Sequence, residues 1–200
     1  MQVAIITGAG SGIGLATARM LHGMGMAIVG LGRDPAKLKT LEETLADPAR
    51  LLTLSVDITG KDAPGLVVDR TLERFGRIDF LVNNAGIGSP KPLHETDDET
   101  LDYFLDIMLR APFRLARDVI PHMQSGSGVV NVTSTFAMIG GKRGGAYSAA
   151  KGGLKSLTEH MACEYGPLGI RSNCVAPGVT MTDMVRHRFE DETFKRVNVE

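Results

Sequence analysis

The sequence predicts an α/β fold, a doubly wound parallel sheet covered by helices on both faces, and three observations predict it. Strand-like and helix-like segments alternate along the 200 residues. A glycine cluster follows the first strand at once and opens the first helix. Every further motif lies at the carboxyl end of a strand or on the helix after it, where such sheets bind ligands. The first strand is expected over Val3–Thr7, and residues 13–24 then carry a helical pattern ending near Gly23 and Gly25. A second strand over 27–31 is followed by Asp34-Pro35, an N-cap and first-turn pair for the helix holding Leu38, Leu41 and Leu45. A third strand at 51–56, a helix at 64–75 and a fourth strand at 78–82 come next. Residues 101–123 form a long helix interrupted by Pro112. A fifth strand at 129–132, a helix at 147–165 and a sixth strand at 170–175 complete the series.

Composition narrows the function classes. The length suits one domain over 1–200, and 43% apolar residues is ordinary for a globular chain. Lys plus Arg number 22 against 23 Asp plus Glu, so no net field recruits nucleic acid or anionic lipid. No apolar run is long enough to span a bilayer. Met1-Gln2 leads directly into the first strand without a secretion signal, and a reduced cytoplasmic protein is expected. Cys163 and Cys174 have no partner at ligand spacing and read as small core hydrophobes. His22, His94, His122, His160 and His187 are scattered, so no metal site is expected.

The turn Thr7-Gly8-Ala9-Gly10-Ser11-Gly12-Ile13-Gly14 lacks the usual G-x-G-x-x-G register, because Ile13 stands where a glycine is needed. Its glycines at 8, 12 and 14 let the turn close and let phosphate oxygens reach the amides at a helix N-terminus. From here the chain resembles the short-chain dehydrogenase/reductase family, whose glycine motif is T-G-x-x-x-G-x-G. The likeness continues through Asp57, Asn83-Asn84-Ala85-Gly86, Ser134, Tyr147-Ser148-Ala149-Ala150-Lys151 and Pro177-Gly178, in order along essentially the whole chain. Within the family the likeness includes 3-oxoacyl-carrier-protein reductase-like members.

The resemblance implies a Rossmann-type α/β/α fold of about six strands with the usual seventh missing, and a nicotinamide-dependent oxidoreductase acting on a small carbonyl or alcohol. It assigns Gly8, Ser11, Gly12, Ile13 and Gly14 to the pyrophosphate, Asp57 and Ile58 to the adenine, and Asn83, Ala85 and Gly86 to the adenosine side. Pro177, Gly178, Val179 and Thr182 are assigned to the nicotinamide end. An acid at the end of the second strand would select NAD; here Gly32 takes that place and Arg33 follows. A guanidinium there suits a 2′-phosphate, while Asp34 is occupied in capping, so NADP(H) is favoured over NAD(H).

Tyr147 and Lys151 are one helical turn apart on one face. A lysine ammonium close by, with the positive charge of an oxidised nicotinamide, favours the phenolate needed for acid–base work. By the resemblance Lys151 also holds the nicotinamide ribose, and Ser134 polarises the substrate oxygen. Two departures stand out. Met108 occupies the place where the family carries a catalytic asparagine; its own side chain reads as core filler. Pro112 lacks the N–H that would bond the carbonyl of residue 108, so a proton relay to solvent is expected to run through that carbonyl. The chain also stops short of the family's last segments, so either this is a shortened member or another subunit covers the sixth strand.

The alternative reading is a cofactor-binding regulatory protein with weak or no catalysis. A homodimer or homotetramer through residues 101–123 and 147–165 is expected from the resemblance. Pocket-lining segments are expected at 88–94, 135–145 and 184–189. Their basic residues Lys142, Arg143, Arg186 and Arg188 suit an anionic or carrier-linked substrate such as a 3-oxoacyl thioester, and ordinary solvated charge accounts for them equally.

Overall fold

All five residues of the first strand, Val3–Thr7, are buried, which requires a sheet covered on both faces. The computed structural model of the chain describes residues 1–88, 91–186 and 190. Within these, β1 (Val3–Thr7), β2 (Ala27–Gly32), β3 (Leu51–Ser55), β4 (Phe80–Asn83), β5 (Gly128–Val132) and β6 (Arg171–Val175) form one parallel sheet in the order β3-β2-β1-β4-β5-β6. Ile5 pairs with Val29 on one side and with Leu81 on the other. The chain winds outward through β2 and β3, then crosses back to β4, so the strand order reverses between β1 and β4. A crevice opens there at the carboxyl ends of the strands.

Alternate residues of β1 serve opposite faces. Ala4 and Ile6 pack with Ala18 and Leu41, from α1 (Gly12–Gly23) and α2 (Pro35–Leu45). Val3 and Ile5 belong to the larger cluster, with Val67 of α3 (Ala63–Phe75) and Leu115 and Val119 of α5 (Ala111–Val119). Met161 of α6 (Gly145–Tyr165) joins that cluster. A short helix, α7 (Asp183–Arg186), follows β6.

The structure corrects several expectations. β4 begins at Phe80, two residues late, because Asp79 accepts the Val3 amide at 2.8 Å and two bonds from Arg77. The long helix is three pieces. α4 (Asp98–Leu105) starts on an Asp97 cap, a π turn spans Asp106–Arg110, and α5 follows. In the π turn the Ala111 amide reaches back to the Asp106 carbonyl, accommodating one extra residue just ahead of Pro112. The next helix begins at Gly145, two residues early. Cys163 and Cys174 are both exposed instead of buried in the core. Cys174 lies on β6, the sheet edge, most of whose residues are exposed. Among the expected pocket residues, Ser89, Pro90, His187, Arg188 and Phe189 lie outside the described residues.

Candidate active site

The site is built on the glycine turn between β1 and α1. Gly8 and Gly12 hold left-handed φ values of +66° and +52°, which favour glycine. The amides of Gly8 and Ala9 both donate to the Leu31 carbonyl and pin the turn to β2. Gly14 serves a different purpose. A Cβ there would lie 2.2 Å from the Gly8 carbonyl oxygen and 2.5 Å from Asn84 Nδ2, so the bare backbone lets α1 seat against the turn. Gly10, which the sequence reading left unassigned, has the same role toward α2: its Cβ would lie 2.6 Å from the Lys37 carbonyl oxygen.

The ends of β1 and β4 are tied together across the crevice. Thr7 Oγ1 accepts from the amides of Asn84 and Ala85, each at 2.9 Å, and Asn84 Nδ2 donates to the Thr7 carbonyl at 2.9 Å. Asn83 was expected on the adenosine wall. It is instead buried and donates to Asn131 Oδ1 at 2.9 Å, and Asn131 donates in turn to Thr158 Oγ1. Asn84, Ala85 and Gly86 line the crevice instead.

A cavity of about 780 Å³ runs from Gly8, Ser11, Gly12 and Ile13 past Asn84–Gly86 to Ser134, Tyr147 and Lys151. Pro177, Gly178, Val179 and Thr182 also line it. Thr182 lies close to the glycine turn, its methyl 3.1 Å from where a Gly12 Cβ would stand. A side chamber of about 210 Å³ is lined by Arg33, Lys37, Asp57 and Ile58. A bond to Tyr103, and then the charge of Asp57, hold the Arg33 guanidinium more firmly charged than usual. Arg33 and Asp57 stand 3.9 Å apart at the surface. Asp57 accepts from the Thr59 amide and hydroxyl, which with Arg33 holds its carboxyl below the usual range. Asp34 accepts from the Ala36 amide at 2.9 Å and so caps α2.

At the other end, Tyr147 sits in the first turn of α6 between the rings of Phe104 and Phe136, both edge-on at 6.5 and 6.3 Å. Lys151, one turn on, is 3% exposed. Its Nζ donates to the Val132 carbonyl at 2.7 Å and lies 5.9 Å from the Tyr147 ring centre. Burial pulls the Lys151 ammonium down to about 8. Ser134 lies two residues beyond β5, buried, with its Oγ accepting the Phe136 amide at 3.2 Å. Met108 is fully buried in the π turn. Its Sδ and the Lys151 Nζ lie 3.5 and 3.7 Å from the position a Gly86 Cβ would take, so both abut the same spot on the wall.

Lys37 and Phe104 line the cavity and were not singled out from the sequence. Each had a local signal: Lys37 lies in the turn just after Arg33, and Phe104 lies four residues before Met108. A cavity within the usual size range for ligand sites, with glycine backbone at one end and a half-buried Tyr147 over a buried Lys151 at the other, fits an extended dinucleotide.

A family model described as short chain dehydrogenase matches residues 2–193. The chain is 40% identical over 188 residues to cis-4-hydroxycyclohexanecarboxylate dehydrogenase of Sinomonas cyclohexanicum, covering 92% of this chain and 75% of that protein. It is 35% identical to 2-(R)-hydroxypropyl-CoM dehydrogenase of Xanthobacter autotrophicus, covering 94% and 78%. The structure of 3-ketoacyl-(acyl-carrier-protein) reductase from Brucella melitensis, complexed with NADH, superposes with a TM-score of 0.89 at 29% identity, covering 98% of this chain and 81% of that one.

Proposed function

The chain belongs to the short-chain dehydrogenase/reductase family, a nicotinamide-dependent group of oxidoreductases acting on alcohols and carbonyls, and from that premise we propose that Tyr147 is its acid–base group and NADP(H) its cofactor. The observation that carries this reading is the buried Lys151 ammonium beside the Tyr147 ring at the inner end of the cavity. When bound, the nicotinamide supplies or accepts a hydride.

The residues supply the rest. The Tyr147 hydroxyl passes a proton to the substrate oxygen in reduction and takes it back in oxidation. The positive charge of Lys151, poised near about 8, favours the phenolate that this exchange creates. The Ser134 hydroxyl polarises the substrate oxygen. Gly8, Ser11, Gly12, Ile13 and Ala85 would hold the dinucleotide along the crevice, with Pro177 to Thr182 at its nicotinamide end and Lys151 at the ribose.

Two cations support NADP(H) over NAD(H). Among the described residues Arg33 is held only by exposed partners, Tyr103 and Asp57, the latter in a kind of pair worth about 0–1 kcal/mol, which leaves it available to a 2′-phosphate. Lys37 lines the same chamber, and its side chain makes no ion pair or hydrogen bond among the described residues. The test is a paired fluorescence titration with NADPH and NADH. NADPH is expected to bind at least roughly tenfold tighter, and Arg33→Ala to remove most of that preference. A preference for NADH would overturn the cofactor choice. Tyr147→Phe is expected to lower turnover by a factor on the order of 100 or more while NADPH still binds.

One observation favours a second reading, a cofactor-binding protein with weak catalysis: the apolar Met108 sits against the wall beside Lys151. NADPH binding without turnover on a broad carbonyl and alcohol panel would select it.

A further inference from the structure

Charges in the whole chain nearly cancel, at 22 Lys plus Arg against 23 Asp plus Glu. The main cavity is not balanced. Its described lining includes Lys37, Lys91, Lys142, Arg143 and Lys151, and no Asp or Glu. A cleft lined by one sign of charge concentrates ligands of the other. Three of the five cations are otherwise accounted for. Lys37 has no side-chain partner among the described residues but lies at the glycine-turn end, in the chamber with Arg33, where the reading above gives it to the cofactor. Lys91 is paired with Asp97 at 3.2 Å. Lys151 is bonded to the Val132 carbonyl. Lys142 and Arg143 make no ion pair or hydrogen bond among the described residues.

Their position is set by packing on both sides. Gly141 lies on the Phe136 ring, where a Cβ would come within 2.8 Å, and Phe136 is edge-on to Tyr147 at 6.3 Å. Gly144 forms an isolated parallel bridge with Lys91, and Gly145 abuts Leu93. The backbone of Lys142 and Arg143 is therefore held at the Tyr147 end of the cavity beside Phe136, with both residues exposed and lining it there. Arg143 itself holds a left-handed φ of +59°. A glycine or asparagine would adopt that conformation at lower cost, so a mere turn gives no reason for arginine there. Phe104, Phe136 and Ile139 supply apolar wall beside it.

We propose that the substrate carries a carboxylate, received by Lys142 and Arg143, on the far side of a compact apolar body from the carbonyl or alcohol carbon at Tyr147. The inference rests on the oxidoreductase reading above, and it names the substrate class for that site.

Two measurements on the full chain separate the two claims. The first is calorimetric binding of cyclohexanecarboxylate against cyclohexanemethanol, with the chain free and saturated with NADP. The acid is expected to bind at least roughly tenfold tighter than the alcohol, with Lys142→Ala or Arg143→Ala each removing much of that margin. Lys37→Ala, at the other end of the cavity, reports anion capture at the cofactor site. Equal binding of acid and alcohol would overturn the inference, and so would loss of acid binding in Lys37→Ala with Lys142→Ala and Arg143→Ala unaffected. The second measurement is NADPH-dependent reduction of 4-oxocyclohexanecarboxylate against its methyl ester. The acid's kcat/KM is expected to exceed the ester's by about tenfold, with the ratio falling toward one when both cations are replaced. Equal rates would refute the anion site and leave the oxidoreductase reading standing. Selective acid binding without reduction of either compound would leave the anion site standing and favour the weak-catalysis reading.

Discussion

Lys151 illustrates how one side chain sets both chemistry and stability. Its ammonium is buried with one carbonyl bond, and burial lowers its titration from the ordinary 10.5 to about 8. Below about pH 8 both the folded and unfolded chains are protonated there, and the folded state bears the full cost of burying the charge. Between about 8 and 10.5 the unfolded chain binds more protons, so folding stability rises with pH; above that range the cost is gone. The difference corresponds to about 3 kcal/mol. Denaturant melts of wild type and Lys151→Met should therefore diverge by an amount of that order in favour of wild type from pH 7 to 10.5. Parallel curves would contradict the burial assigned to this ammonium. The residue suited to support Tyr147 is thus a source of instability in the free chain.

At the scale of elements, identical substitutions have opposite consequences, and the neighbours decide the sign. Gly65 lies inside α3, and a Cβ there would meet nothing within 4 Å. Gly65→Ala should stabilise the chain by about 0.5–1 kcal/mol through helix propensity. Gly14 also lies in a helix, but its Cβ would meet the Gly8 carbonyl at 2.2 Å, and backbone does not yield as a flexible side chain does. Gly14→Ala should cost about 1–3 kcal/mol and shift α1 away from the turn, weakening NADPH binding with it. Thermal melts and the NADPH titration check both. The π turn between α4 and α5 belongs to this scale as well. It places Met108 against the same wall position as Lys151, a position that an ordinary helix interrupted by a proline did not suggest.

Over the whole molecule, the outer surface of α4 and α5 leaves Leu101, Tyr103 and Phe113 exposed, with Phe113 at 51%. We propose that this surface and α6 join two copies of the chain into a homodimer or a tetramer built from it. Apolar residues on a pair of neighbouring elements suit a self-complementary interface. Sedimentation at micromolar concentration should show a dimer or larger, and Phe113→Arg should shift it to monomer; a monomeric wild type would contradict the interface. Among the described residues no helix is long and apolar enough to cross a membrane.

Reading the chain unaided reaches the α/β class, all six strands, the cap at Asp34 and the order of the motifs. Each of these rests on local chemistry: glycine conformations, a carboxylate beside a helix start, and apolar runs of strand length. The reading fails where a residue's role depends on what lies opposite it. Asn83 and Asn84 are adjacent and chemically identical, yet strand alternation turns the first toward Asn131 and the second toward the glycine turn. Gly14 looks like a phosphate glycine, and Gly10 has no evident part, until Asn84 and the Lys37 carbonyl are found against them. Cys163 and Cys174 have the composition of core residues but lie on surfaces that no described element covers. Side-chain direction and long-range packing are properties of the assembled layers. They were set when distant segments met, and no window of sequence contains both partners.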